Sequence, residues 1–135
     1  MRADLLFIAL LAVTSAALGQ VTPKAAPESC KSPGTQLEMN TCAMESFEAA
    51  DKRMNGLYKR QLDILEEAKT KARLREAQRA WIQFRDKSCE YDVGPREESG
   101  SIWPMEHFFC LEYHTLQRVQ DLEKYLSCTG GGCMR

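Results

Sequence analysis

Between Leu74 and Cys89 apolar side chains recur at spacings of three and four: Leu74, Ala77, Trp81 and Phe84, with Ser88 continuing the series. That spacing predicts a helix with one apolar face. Arg75, Glu76, Arg79, Gln83 and Asp86 fall on the other side, where Glu76 and Arg79 are spaced to pair. The stretch LREAQRAWIQFRDKSC is expected to be the element on which the rest of the chain packs. Arg79, Arg85 and Asp86 read either as a solvated helix face or as a polar patch that meets a partner, and Arg85 and Asp86 are retained as candidate partner-binding residues.

Upstream, Met39, Ala43, Phe47, Ala50, Met54, Leu57 and Ile64 keep the same period over many turns, so a long amphipathic helix is expected. Thr35 followed by Glu38 has the form of a capping box, which places its start. Asn55-Gly56 is a hairpin-turn dipeptide, but the flanking period near 3.6 assigns it to the helix, where Gly56 would admit a bulky neighbour such as Trp81. A straight helix from residue 35 to 90 would be about 80 Å long and could not bury its own apolar face. A reversal is therefore expected at Ala68 to Lys71.

Downstream, residues 92–102, DVGPREESGSI, combine Gly, Pro, Ser and charge without apolar period and read as a loop. Glu97 and Glu98 at its centre are the candidate acidic recognition surface. Pro104 suits the first turn of a third helix, with Met105, Phe109, Tyr113, Leu116, Val119 and Leu126 as its buried stripe and an end near Ser127. The predicted fold is all-α: a disulfide-bonded helical hairpin with a third packed helix, a small helical bundle.

The N-terminus changes the picture of what the mature chain contains. Residues 5–13, LLFIALLAV, follow Arg2 and precede small residues ending Ala17-Leu18-Gly19, the pattern of a cleavable secretory signal over residues 1–19. The run is too short to span a membrane. Residues 20–34, rich in Pro, Ala and Ser, read as a flexible leader, and residues 35–135 as the helical domain with a Gly-rich tail. The first cysteine is Cys30, so no lipid anchor on an N-terminal cysteine is expected. The reading is a periplasmic or secreted protein.

Cysteine usage agrees with export. Cys30, Cys42, Cys89, Cys110, Cys128 and Cys133 all follow the signal, and an even count in that setting implies disulfides. Six cysteines allow fifteen pairings; the favoured set is Cys89 with Cys110, Cys30 with Cys42, and Cys128 with Cys133. A metal site is not expected, because no C-x-x-C occurs and His107 and His114 do not show the spacing of a zinc set. The chain carries 18 basic and 19 acidic residues, and the signal removes one of each, Arg2 and Asp4. Such a balance argues against nucleic acid as a partner. No nucleophile elbow, H-E-x-x-H or phosphate loop is present, so neither an enzyme nor a cofactor is expected.

Taken together, TQLEMNTCA at 35–43, the pattern of Ala50, Asp51, Asn55 and Tyr58, LREAQRAWIQFRDKSC at 74–89, Gly100-Ser101, and Cys110 with Thr115 and Arg118 resemble the LprI-like family of exported bacterial proteins. The likeness covers residues 30 to about 126. It implies a helical, disulfide-bonded envelope protein that inhibits lysozyme. A lysozyme-type muramidase is usually basic with an acidic catalytic cleft, and a small rigid protein can plug that cleft without doing chemistry. The resemblance supplies no inhibitory residues. It also leaves an alternative open, a non-catalytic envelope adaptor or structural protein that binds another periplasmic protein through its long first helix. In either case a monomer or weak dimer is expected.

Overall fold

The computed structural model describes residues 30–32 and 34–128, which form a helical bundle. The helices are α1 (Gln36–Ile64), α2 (Ala68–Val93), the single-turn α3 (Arg96–Ser99) and α4 (Trp103–Ser127), with a 3-10 turn at Gly100–Ile102. Among the described residues there is no strand, and no helix is long and apolar enough to cross a membrane. The expected signal, most of the leader, and the tail beyond Cys128 lie outside the described residues.

Helix α1 starts where the capping box places it. The Glu38 amide donates to Thr35 Oγ1 at 3.2 Å, while Glu38 Oε2 accepts from the amides of Gly34 and Thr35, both at 2.9 Å. These bonds to the charged carboxylate, the one from Gly34 first, hold Glu38 below the usual carboxylate range. The helix runs unbroken through Asn55-Gly56. A Cβ on Gly56 would meet nothing within 4 Å, so the glycine does not make room for Trp81 as expected.

The reversal falls at Leu65–Glu67, earlier than the expected Ala68–Lys71, which instead forms the first turn of α2. Leu65 and Glu67 have ψ of 132° and 127°, which ends one helix and begins the next. Breaking there puts Glu66 and Glu67 at the positive end of α2, where negative charge is favourable. Helix α4 begins with Pro104 in its first turn, where no amide donor is needed.

Three contacts fix the direction of α4 against α1. Asn40 Nδ2 donates to the Ser101 carbonyl, Phe47 stacks on Phe108, and Arg53 pairs with Glu123, so the two helices run parallel. They pack along their length, and the buried Ala43 and Ala50, seven apart, let the backbones approach. Helix α2 runs antiparallel to both and is tied to α4 by the Cys89–Cys110 disulfide. Met54, Val119 and Leu122 form a buried cluster, with Leu57, Tyr58 and Trp81 packed against it. The expected bundle is present, but α4, more than residues 74–89, is the helix the others share.

Part of the interior is polar. Arg85, only 9% exposed, lies between the rings of Phe47 and Trp81, with its guanidinium carbon 5.5 and 5.3 Å from their centroids. Its nitrogens reach Asp86 at 2.8 Å, Asp51 at 3.5 Å and Thr115 Oγ1 at 3.4 Å. Arg118 lies over the same Trp81 ring and donates to Gln78 Oε1 at 2.9 Å. The Gln78 amide nitrogen in turn contacts Met54 Sδ. Two buried cations therefore share one indole and are satisfied by carboxylates, a hydroxyl and an amide.

This polar core rotates the helices away from the expected faces. In α2 the buried positions are Gln78, Arg85 and Cys89, while Ala77 and Phe84 face solvent. In α4 they are Leu111, Thr115, Arg118, Val119 and Leu122, and the expected inward residues Phe109, Tyr113 and Leu116 are exposed. Ile64 at the end of α1 is also exposed.

Three outcomes test these interactions. Arg85→Ala should destabilise by about 3 kcal/mol in urea unfolding, because Asp51 loses its cation, and Arg85→Lys should recover only part because an ammonium cannot both fork and stack. Converting Cys89 and Cys110 to Ala should cost about 3 kcal/mol in the loop-entropy account of a disulfide. For Glu38 the lowered carboxyl pKa stabilises the fold above the ordinary value of 4.5. The stability difference between the native chain and Glu38→Gln should therefore vanish as pH falls through that lowered pKa.

Candidate protein-binding surface

At one end of the bundle α2 stops, the chain turns, and α4 begins. Gly94 and Gly100 flank α3 with φ of 73° and 63°, a backbone region that disfavours any residue with a Cβ. The intervening chain was expected as a loop; it folds into one helical turn that presents Glu97 and Glu98 to solvent. The turn is braced from several sides. Trp103 Nε1 donates to the Gly94 carbonyl at 3.0 Å, Ser99 Oγ reaches the Val93 carbonyl, and Asn40 holds the Ser101 carbonyl. Arg96 folds over the Trp103 ring, so the basic residue of this turn is drawn toward the indole beside the two carboxylates.

Trp103 also stacks on His107, with centroids 4.4 Å apart. Burial holds His107 below the ordinary imidazole pKa, with Asp86 acting in the opposite direction and Arg85 adding to the lowering. Its Nδ1 is buried without a hydrogen-bond partner. A neutral imidazole stacked on Trp103 is part of the brace.

The Cys89–Cys110 disulfide joins α2 to α4 beneath this end, with Cα atoms 5.7 Å apart. The Cys30–Cys42 pair joins the start of the described chain to α1. Both match the expected pairing; Cys128 is not a free thiol, and its expected partner Cys133 lies outside the described residues. Although the histidines do not show the spacing of a zinc set, Cys110 and His114 are one helical turn apart, and His114 offers a nitrogen within 4.8 Å of both Cys89 and Cys110 sulfurs. Because those sulfurs are bonded to each other, neither is a thiolate able to ligate a metal.

The four candidate contact residues separate into two groups. Glu97 and Glu98 are exposed on α3. Asp86 is half-exposed but spent on Arg85, and Arg85 is turned inward. The expectation that Arg85 offers its charge to a partner is therefore corrected: its fork is occupied by Asp86, Asp51 and Thr115, and its faces by two rings.

Three exposed aromatics stand outside the expected contact residues: Phe84 and Tyr113, which their helical spacing assigns to buried faces, and Tyr91, which the sequence assigns no role. Phe84 is 59% exposed and meets the His114 ring edge-on at 5.7 Å; Tyr113, 62% exposed, meets the same ring at 5.3 Å. Tyr91 is 89% exposed. It lies seven residues after Phe84, two helical turns along one face of α2, and that spacing was the available signal. An open groove between the start of α1 and the start of α4 is edged by Leu37, Met44, Arg96 and Phe108.

A curated relative, the uncharacterized protein R02472 of Rhizobium meliloti (strain 1021), is 31% identical over 109 residues, covering 72% of this chain and 78% of its own. No solved structure matches. A family model described as "Lysozyme inhibitor LprI" matches residues 27–122, which contain the Cys30–Cys42 and Cys89–Cys110 disulfides, the buried arginines and the braced acidic turn, so the chain belongs to the LprI family.

Proposed function

We propose that this chain is an exported, periplasmic or secreted, non-catalytic inhibitor that binds lysozyme-type muramidases and blocks their cleft. Membership of a family described as lysozyme inhibitors carries the reading. The geometry supports it: the Cys30–Cys42 and Cys89–Cys110 disulfides and a polar core hold a small bundle rigid, and a turn braced by Trp103, Ser99 and Asn40 presents Glu97 and Glu98. A surface ordered before binding loses less conformational entropy on association. Exposed carboxylates fit a basic muramidase and speed encounter with it. Blocking is steric, so no cofactor enters, and the inhibitor acts as a monomer or weak dimer.

The direct test is titration of the oxidised chain, residues 20–135, into a cell-wall lysis assay with a basic lysozyme, with reduced and alkylated protein as control. Dose-dependent loss of lysis by the oxidised form alone is expected; no inhibition across several lysozyme classes would overturn the reading and turn the search toward another envelope protein. Within this reading Glu97→Ala with Glu98→Ala should weaken inhibition about tenfold at low salt, mostly through slower association. The difference should shrink as salt rises and screens the carboxylates.

A further inference from the structure

The braced acidic turn is not the whole of the exposed surface at this end. Along the side where α2 meets α4, contacts run in one chain: Tyr113 to His114, His114 to Phe84 and to the Cys89–Cys110 sulfurs, and Cys110 Sγ to Asp92 Oδ2 at 3.9 Å. Tyr91 precedes Asp92 and shares the α2 face of Phe84, and Phe109 lies one turn before Tyr113 on α4. Tyr91, Tyr113, Phe84 and Phe109 are 89, 62, 59 and 45% exposed, so all four keep much of their ring surface in water. A row of aromatics this exposed on one side of a small bundle marks a surface that another molecule covers.

We infer that this aromatic face, built over the Cys89–Cys110 disulfide, is the anchor of the muramidase interface, with Tyr91 and Phe84 as its main contacts and Asp92, Glu97 and Glu98 as its acidic rim. The inference rests on the inhibitor reading and adds where the affinity comes from. Charge selects the occupant. Asp92 contacts Cys110 within the face, exposed Glu97 and Glu98 follow Tyr91 by six and seven residues through the turn, Lys87 is paired with Glu90, and Arg96 is folded onto Trp103. The surface therefore fits a basic protein with an apolar or aromatic-lined cleft, and opposes a second copy of this chain, whose own rim would meet it with like charge.

Rigidity favours the same assignment. Tyr91 stands two residues beyond disulfide-bonded Cys89, and Phe84 stands beside buried Arg85, so both side chains project from backbone fixed by the core. Rigid aromatics rimmed by polar groups are the residue type on which binding energy concentrates. The two parts of the surface then do different work: carboxylates act at long range and are screened by salt, whereas aromatics act on contact and govern dissociation.

The experiment measures binding and inhibition of a basic lysozyme by the oxidised chain carrying Tyr91→Ala, Phe84→Ala, or both, at low and high salt. Ile64→Ala serves as control, since Ile64 is 60% exposed at the opposite end. The double variant should weaken binding at least thirtyfold, through faster dissociation, by a similar factor at both salt concentrations, while Ile64→Ala remains native-like. Helical content and disulfide titre of each variant establish folding, and Tyr91→Phe, which keeps the ring, should retain most of the affinity. Native-like inhibition by the folded double variant would overturn the aromatic face and leave the inhibitor reading standing. Absence of binding by the unaltered chain would overturn both. A double variant that self-associates less than the unaltered chain but inhibits equally would assign the face to a second copy and also reject the proposal.

Discussion

The guanidinium of Arg85 is the point at which the bundle is joined. It lies between Phe47 of α1 and Trp81 of its own helix, and reaches Asp51 of α1 and Thr115 of α4. A buried cation is tolerated only when its donors are occupied and its faces covered, and here all three long helices contribute. Arg118 repeats the arrangement from α4, over the same indole, with Gln78 in place of a carboxylate. Two like charges near one ring repel, but Asp51 and Asp86 supply compensating charge beside Arg85. The apolar cluster of Met54, Val119 and Leu122 contributes burial; the arginines and Trp81 contribute geometry, because a planar fork tolerates little rotation of the helix that carries it.

That geometry reaches the surface. Once Arg85 faces inward, its neighbour Phe84 is turned by about 100° around the helix axis. Cys89, one turn further, is then aimed at α4 and can pair with Cys110. Tyr91, two turns beyond Phe84, is carried outward with it. The exposed aromatics are thus a direct consequence of placing an arginine in the core, and a partner meeting Phe84 and Tyr91 meets side chains whose direction is fixed from beneath.

The same residues show where the sequence was legible. The capping box at Thr35 and Glu38, the proline opening α4 and two disulfide pairings depend on local chemistry, and each is found where the residues indicate. The inward face of α2 was not legible, because hydrophobic period prefers Phe84 to Arg85 whenever the two compete for the core. Only the combined placement of Phe47, Trp81 and Thr115 reverses that preference, and these come from three separated stretches. The reversal was displaced for a related reason: residues 65–71 contain no glycine or proline to mark it, and extended backbone at Leu65 and Glu67 makes the break. The short helix bearing Glu97 and Glu98 spans only four residues, fewer than any apolar period needs to show itself.

The molecule has two ends with different tasks. Leu122 of the apolar cluster lies twelve residues beyond Cys110 along α4, about 18 Å at 1.5 Å per residue. Met54, Val119 and Leu122 hold α1 to α4 at that distance, whereas the disulfide, Trp103 and His107 hold the turn where α2 passes to α4. A covalent tie is most useful at this second end, since Phe84, Tyr91 and Tyr113 leave so much apolar surface in water that burial alone does little to close α2 onto α4 there. Opening the disulfide would therefore loosen the presenting end before the distant cluster, and a chain could keep its helices while losing the fixed surface that the proposed inhibition draws on. Stability and recognition thus draw on different contacts and meet in one bond.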